Sequence, residues 1–315
     1  CFAVFMLFIV LAYEAVNILF YRQNEQKDTR ISVYGFIIVI SCFLQAMFGV
    51  VQFFGFFQIS TTLWVTGSFD NPAGFAACLC AGFPFVGFLL SDSNKYIRYV
   101  GGLIGFVIVI AVILSQSRAG IMSIAFICFI LLNMKFFHKR WVKYLSLLCF
   151  ALLLSGCYWM KKDSADGRLL IWRCSVSMVK DAPWLGHGIG SFEARYMDYQ
   201  ADYFRQYGLN RYSMLADNVK HPFNEYLGVL LNFGFVGLLM ILALITLLIY
   251  CYKKHPCAEK RIAFYSLISI GVFSFFSYTF TYPFTWIVTF LCIIILTKEY
   301  IAKVFTCPII KNTVC

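Results

Sequence analysis

Charge is scarce in this sequence: Asp, Glu, Lys and Arg together make up 13% of its 315 residues. A soluble domain carries roughly a quarter of its residues charged, so an ordinary water-facing surface is excluded. Histidine is scarcer still, with 4 residues at positions 138, 187, 221 and 255, so few imidazoles are on hand for proton chemistry. No P-loop, no H-E-x-x-H and no D-x-D pair occurs, which argues against nucleotide hydrolysis, zinc proteolysis and a metal-held nucleotide sugar. Cysteine is plentiful at 13, but no C-x-x-C pair exists and the count is odd, so neither a metal site nor a disulfide framework is expected. Cys42, Cys78, Cys80, Cys128 and Cys292 fall in apolar runs, where a thiol acts as a small packing residue; only Cys174 lies well inside the longest polar loop.

What fills the chain instead is apolar. Hydrophobic residues reach 61% and aromatics 19%, with a mean hydropathy of +0.77. Stretches of about 20 apolar residues recur along it, the length needed to cross a bilayer core. They are continuous rather than alternating, which points away from a β-barrel and towards helices that satisfy their own backbone groups in lipid. The expectation is an all-α, polytopic transmembrane bundle. Nine spans read off the sequence at about 2–21, 32–57, 73–90, 97–114, 119–135, 143–160, 223–252, 262–281 and 283–297. Tyr282-Pro283 separates the last two, which could instead form one broken or re-entrant unit. The chain opens at Cys1, without Met, inside an apolar run, so one or more earlier helices are expected to precede it.

The net charge of +11 is spread over interhelical loops rather than gathered for a polyanion, so no nucleic-acid partner is expected. The odd-numbered loops hold Arg22, Lys27 and Arg30; Lys95 and Arg98; Lys135, Lys139, Arg140 and Lys143; Lys253, Lys254, Lys260 and Arg261. The second loop, Gln58 to Pro72, has no Lys or Arg, and the fourth has only Arg118. By the positive-inside rule the odd loops and the tail face the cytoplasm and the even loops face outward. The chain then divides into N-terminal spans 1–160, an outward loop 161–222, C-terminal spans 223–297 and a cytoplasmic tail 298–315.

The long loop suits two amphipathic helices. Arg168 to Lys180 offers Leu169, Trp172, Val176 and Val179 to one face, and Ser191 to Tyr207 offers Phe192, Tyr196, Tyr199, Tyr203 and Tyr207. The turn-rich run Asp181 to Gly190 separates them. The tyrosine stripe reads either as an interfacial anchor or as a platform for sugar rings.

Four polar groups fall on the outward side. Phe69-Asp70-Asn71-Pro72 precedes a span, where Asn71 can cap a helix or support a site. Ser115-Gln116-Ser117-Arg118-Ala119-Gly120 places Arg118 at the hydrocarbon edge, where a charge snorkels or meets an anion. Gly167-Arg168-Leu-Leu-Ile-Trp172, with Arg173 beside it, offers planar guanidinium forks suited to phosphate. Lys220-His221-Pro222-Phe223-Asn224-Glu225 marks re-entry to the membrane. His221 has an amide and a carboxylate in the next turn, and imidazole is poised to move protons near neutral pH. His187, flanked by glycines, is the weaker candidate.

SQSRAG, GRLLIW, DAPWLGHGIGSF and HPFNEYLGVLLNFGFVG, in that order, resemble the O-antigen ligase and polymerase superfamily, and FDNPAGFAA resembles its N-P element. The likeness covers roughly residues 60–240. It implies a metal-independent, cofactor-free, membrane-embedded (GT-C-like) glycosyltransferase that takes its glycan from undecaprenyl diphosphate at the periplasmic face of the inner membrane. It also implies that Arg118 and Arg168 bind the donor diphosphate and that His221 assists the acceptor hydroxyl, with Asn71, Arg173, Lys220, Asn224 and Glu225 in support. Many members place a His directly before the Asn of the last motif, where this chain has Phe223. A lipid A-core sugar, as in lipopolysaccharide biosynthesis, is the leading acceptor. A second lipid-linked repeat and a protein hydroxyl are alternatives, and a non-enzymatic flippase of lipid-linked sugars is the reading from another class. On the enzymatic reading, Arg118, Arg168 and His221 should share one aqueous pocket.

Overall fold

Apolar runs of this length, in lipid, leave the backbone no partner but itself, and helices result. The structure is a computed structural model that describes residues 27–56, 65–135, 140–160 and 162–306. The described residues hold helices α1 (Lys27–Phe53), α2 (Pro72–Gly82), α3 (Val86–Leu90), α4 (Lys95–Leu114), α5 (Arg118–Lys135), α6 (Arg140–Met160), α7 (Lys162–Asp181), α8 (Ser191–Tyr207), α9 (Glu225–Lys254), α10 (Ala258–Phe276) and α11 (Pro283–Thr306), with no strand among them. The expected span at 2–21 lies outside the described residues; the other eight each coincide with one of these helices or, for 73–90, with α2 and α3 together.

Tyr34–Phe53, Pro72–Leu90, Lys95–Leu114 and Glu225–Lys254 are long and apolar enough to cross a membrane; Arg118–Met134, Trp141–Leu152 and Pro283–Lys298 are apolar but shorter. Leu103 and Phe106 on α4, and Leu239 and Met240 on α9, are each more than 60% exposed, an arrangement that water would penalise and lipid does not. The chain is a polytopic helical membrane protein. It has two compact units. One takes in the chain up to Ile127 together with Thr246–Gly271 and Phe280 onward, and the other Cys128–Ile245 with Val272–Thr279.

The first unit is organised around α2, which is buried from Gly74 to Gly82 and built of small residues. Small side chains let neighbouring backbones come close. A Cβ on Gly82 would lie 2.1 Å from the Cys42 sulfur, and one on Gly120 would lie 2.9 Å from Ala76. Pro84 then tightens the chain into a 3-10 turn, Phe83–Phe85, ahead of α3. Proline has no N–H, so the Cys80 carbonyl loses its usual donor. The Ser269 hydroxyl supplies it at 2.7 Å, Ser266 does the same for the Ala81 carbonyl at 2.7 Å, and Ser123 bonds Ser269 at 2.7 Å. Leaving such a carbonyl bare in an apolar interior costs about 1–3 kcal/mol.

In the second unit, α7 packs on α8. The buried side of α7 is Leu170, Ile171, Cys174 and Met178, against Phe192, Tyr196, Tyr212 and Leu231. This face is rotated by about one residue from the expected one: Leu169 and Val176 are exposed, while Trp172 and Val179 sit at its margin. The helix also starts at Lys162, before Gly167, rather than at Arg168. α8 has the expected bounds, and its stripe runs from buried Phe192 and Tyr196 to a largely exposed Tyr207.

The run between α7 and α8 is locked into α9. Gly234 breaks the helix with φ 61° and ψ −159°. Phe235 and Val236, which would donate to Leu231 and Asn232 in a regular helix, donate instead to the Pro183 and Trp184 carbonyls at 2.8 and 3.2 Å. His187 and Gly188 N–H groups take their place on the Leu231 and Asn232 carbonyls at 2.7 and 3.0 Å. These four backbone groups of α9 are thereby satisfied. The close approach requires glycine, because a Cβ on Gly234 would lie 2.3 Å from the Trp184 carbonyl and one on Gly186 2.6 Å from the Asn232–Phe233 peptide.

Candidate functional site

The second unit brings two of the expected site residues together. Arg168 and Trp172 stand one turn apart on α7, both partly buried. The Trp172 indole N–H donates to the Pro222 carbonyl at 2.9 Å, and the Arg168 guanidinium lies over the Phe223 ring at 5.1 Å. Arg168 Nη1 also donates to the Phe276 carbonyl at 2.6 Å, at the end of α10. α7 thus grips the segment that carries His221. Held this way, Phe223 adopts φ 52°, a conformation that a bulky residue keeps only where its surroundings impose it. Asn224 follows and accepts the Leu227 N–H at 3.0 Å as the cap of α9. Glu225 opens that helix, where a carboxylate suits the dipole.

His221 stacks on Tyr278 with ring centroids 4.7 Å apart and planes 23° from parallel. Phe223 meets the same tyrosine edge-on at 5.4 Å. Arg168, Phe223, Tyr278 and His221 therefore form a continuous row. Tyr278 lay inside an expected span; the helix instead ends at Phe276, and the chain turns through 3-10 residues Thr279–Thr281 before Pro283. The break therefore begins at Ser277 rather than at Tyr282. The density of hydroxyls here (Ser274, Ser277, Tyr278, Thr279, Thr281) is the sequence signal for it, and the Ser274 hydroxyl donates to Thr279 at 2.8 Å.

Burial pushes His221 below its ordinary 6.5; Glu193 opposes the shift and Lys220 adds to it. The net direction keeps the imidazole neutral at pH 7. Lys220 and Glu193 form an exposed pair at 3.8 Å. Among the described residues neither ring nitrogen of His221 makes a hydrogen bond to protein. His187 differs on this point. Its Nε2 lies 2.7 Å from the Met178 carbonyl, which can only accept, so that nitrogen carries the proton and Nδ1 accepts from Arg195 at 3.1 Å. His187 is occupied in holding the clasp.

The remaining expected residues fall as follows. Arg173 is exposed on α7, 3.4 Å from the Tyr203 hydroxyl and 5.2 Å from the Tyr212 ring centre. Asn71 belongs to the first unit, where it caps α2, accepting from the Gly74 N–H at 2.8 Å and from the Tyr282 hydroxyl at 2.9 Å. Arg118, also in the first unit, is the partly buried first residue of α5. Gln116 ahead of it has φ 52°, and Ser117 caps the helix at the Gly120 N–H at 3.3 Å. Sequence reasoning missed Gln52, which pins the loop before Asn71 by accepting from Thr66 and Gly67 N–H at 3.1 and 2.8 Å and donating to the Gly67 carbonyl at 3.0 Å.

No curated protein matches the chain. A family model described as O-antigen ligase matches residues 103–242, a stretch that contains Arg118, Arg168 and His221 and stops short of Tyr278. On a helical membrane fold, this matching domain supports the resemblance to the O-antigen ligase superfamily, a membrane glycosyltransferase of the O-antigen ligase or polymerase type.

Proposed function

We propose that the chain transfers a glycan from undecaprenyl diphosphate to an acceptor hydroxyl, a lipid A-core sugar by preference, at the periplasmic face of the bacterial inner membrane. The observation that carries this reading is the row from Arg168 to His221: a cation suited to a leaving diphosphate and a neutral imidazole with uncommitted nitrogens, set on one packed aromatic pair. The acceptor oxygen attacks the anomeric carbon, and His221 takes the hydroxyl proton. The bond from that carbon to the phosphate oxygen breaks with inversion, and its electron pair leaves on the diphosphate. Arg168 offsets that developing charge, the kind of contribution that is usually largest in such sites. The resemblance of the SQSRAG motif assigns Arg118 to the donor diphosphate as well. Arg173 and Lys220 add positive charge, while Asn71, Asn224 and Glu225 hold helix starts in place. The donor is already activated, so no nucleotide is consumed. Ligation to a core sugar leads because one long loop carries both the arginine and the histidine.

Purified protein incubated with undecaprenyl-diphosphate glycan tests this, with lipid A-core, a second lipid-linked repeat and a serine peptide as separate acceptors. Wild type should transfer, to lipid A-core best, and His221→Ala and Arg118→Ala should not. Equal transfer by all three proteins rejects the site. Absence of transfer from every protein, with translocation of the lipid by reconstituted vesicles, replaces the enzyme with a transporter.

A further inference from the structure

The turn that locks α7 to α9 carries an apolar surface that the transfer chemistry leaves unused. Residues 182–190 include no Asp, Glu, Lys or Arg. Trp184, Leu185 and Ile189 are 69%, 75% and 83% exposed. Three large apolar side chains bared together in one short turn mark a contact surface. The backbone beneath them is already committed. The Ala182, Pro183, Trp184 and Gly188 carbonyls accept from the Gly186, Phe235, Val236 and Ser191 N–H groups, while His187 and Gly188 donate to α9. A turn bonded in this way can leave water, which an open loop cannot.

α9 specifies the partner. It has 30 residues, where a bilayer core needs about 20. Counted back from the basic end at Lys253 and Lys254, about 20 residues, or about 30 Å, reach Gly234, where the turn is clasped. The exposure of α9 changes at the same point. Every residue of 225–232 is buried or half-buried, and Leu231 packs in the α7–α8 core. From Phe233 onward the helix bares Phe233, Phe235, Val236, Leu239 and Met240, the kind of surface a spanning helix turns to lipid. Trp184 continues that surface, its ring centre 6.1 Å from that of Phe235. Arg195, exposed on α8, bonds the His187 ring at 3.1 Å and sets a cation beside the apolar tip. Tryptophan with a neighbouring arginine is the pairing of a membrane–water boundary.

We propose that the turn 182–190 is immersed in the leaflet opposite the Lys253–Lys254 end, with Trp184, Leu185 and Ile189 among phospholipid chains just below the headgroups. A stretch that loop charge alone assigns to water is thereby a lipid contact, and the contact does not depend on the transferase reading. Tryptophan fluorescence of the full chain in nanodiscs tests it, without donor or turnover. The chain has 6 tryptophans, so the Trp184 signal is the difference between wild type and Trp184→Phe. Phospholipids brominated near the headgroup end of their chains should remove most of that emission. Bromine near the chain terminus should remove less, and aqueous iodide almost none. Ile189→Trp, made in the Trp184→Phe protein, should restore an emission with the same pattern. Quenching by iodide without quenching by lipid puts the turn in water and overturns the proposal. Quenching by neither means that protein covers the turn, a second copy of the chain included, and overturns it equally. Stronger quenching by chain-terminal bromine overturns the boundary depth. An Ile189→Trp emission that only iodide reaches overturns immersion of the turn as a whole.

Discussion

His187 and His221 occupy the same loop, and the difference between them is where their ring nitrogens go. His187 spends both on protein partners, whereas His221 spends neither and is covered by Tyr278. A base must be neutral to act, and the neutral fraction grows with pH. Because burial lowers the His221 value below 6.5, transfer should be flat from neutral pH upward and fall only on acidification below 6.5. His221→Gln should slow transfer about 100- to 10,000-fold, the range for a lost general base, and should abolish that acid limb. Tyr278→Ala uncovers the imidazole, so its acid limb should move up towards 6.5; a pH–rate profile of the three proteins checks both statements. His221 and Arg168 were legible in the sequence because each sits in a local motif. Tyr278 was not, because it reaches the site from a distant helix end through stacking alone.

Between α7 and α8, the turn-rich run was legible as a break from its glycines and proline, but its exchange of hydrogen bonds with α9 was not. That exchange depends on two glycines far apart in the chain meeting back to back. Gly234→Ala places a Cβ 2.3 Å from the Trp184 carbonyl in a left-handed conformation, so it should destabilise by more than the roughly 1–3 kcal/mol of backbone strain alone. Gly188→Ala meets nothing within 4 Å and should cost about 1 kcal/mol, the low end of that range. Thermal unfolding in detergent should rank them in that order. In the first unit, Ser269→Ala strips the Cys80 carbonyl of its donor and should cost about 1–3 kcal/mol in the same assay. The bounds of α8 followed directly from its aromatic period. The buried side of α7 did not, because packing against Phe192, Tyr196 and Leu231 selected a face that periodicity left almost degenerate.

Across the whole molecule, the apolar runs made the membrane class plain, since continuous hydrophobic stretches admit few other solutions. The orientation expected from loop charge has its own test. With an impermeant thiol reagent on intact spheroplasts and mass mapping, a cysteine introduced as Tyr207→Cys should be labelled and the exposed native Cys257 should not. The reverse pattern inverts the topology. The central claim is that Arg168 and His221 serve one transition state, and a double-mutant cycle on the transfer rate reads this directly. Residues that act as a unit are strongly non-additive. Arg168→Gln combined with His221→Ala should therefore be little slower than the slower single variant, whereas losses that multiply in full would show the two residues acting independently and contradict the account.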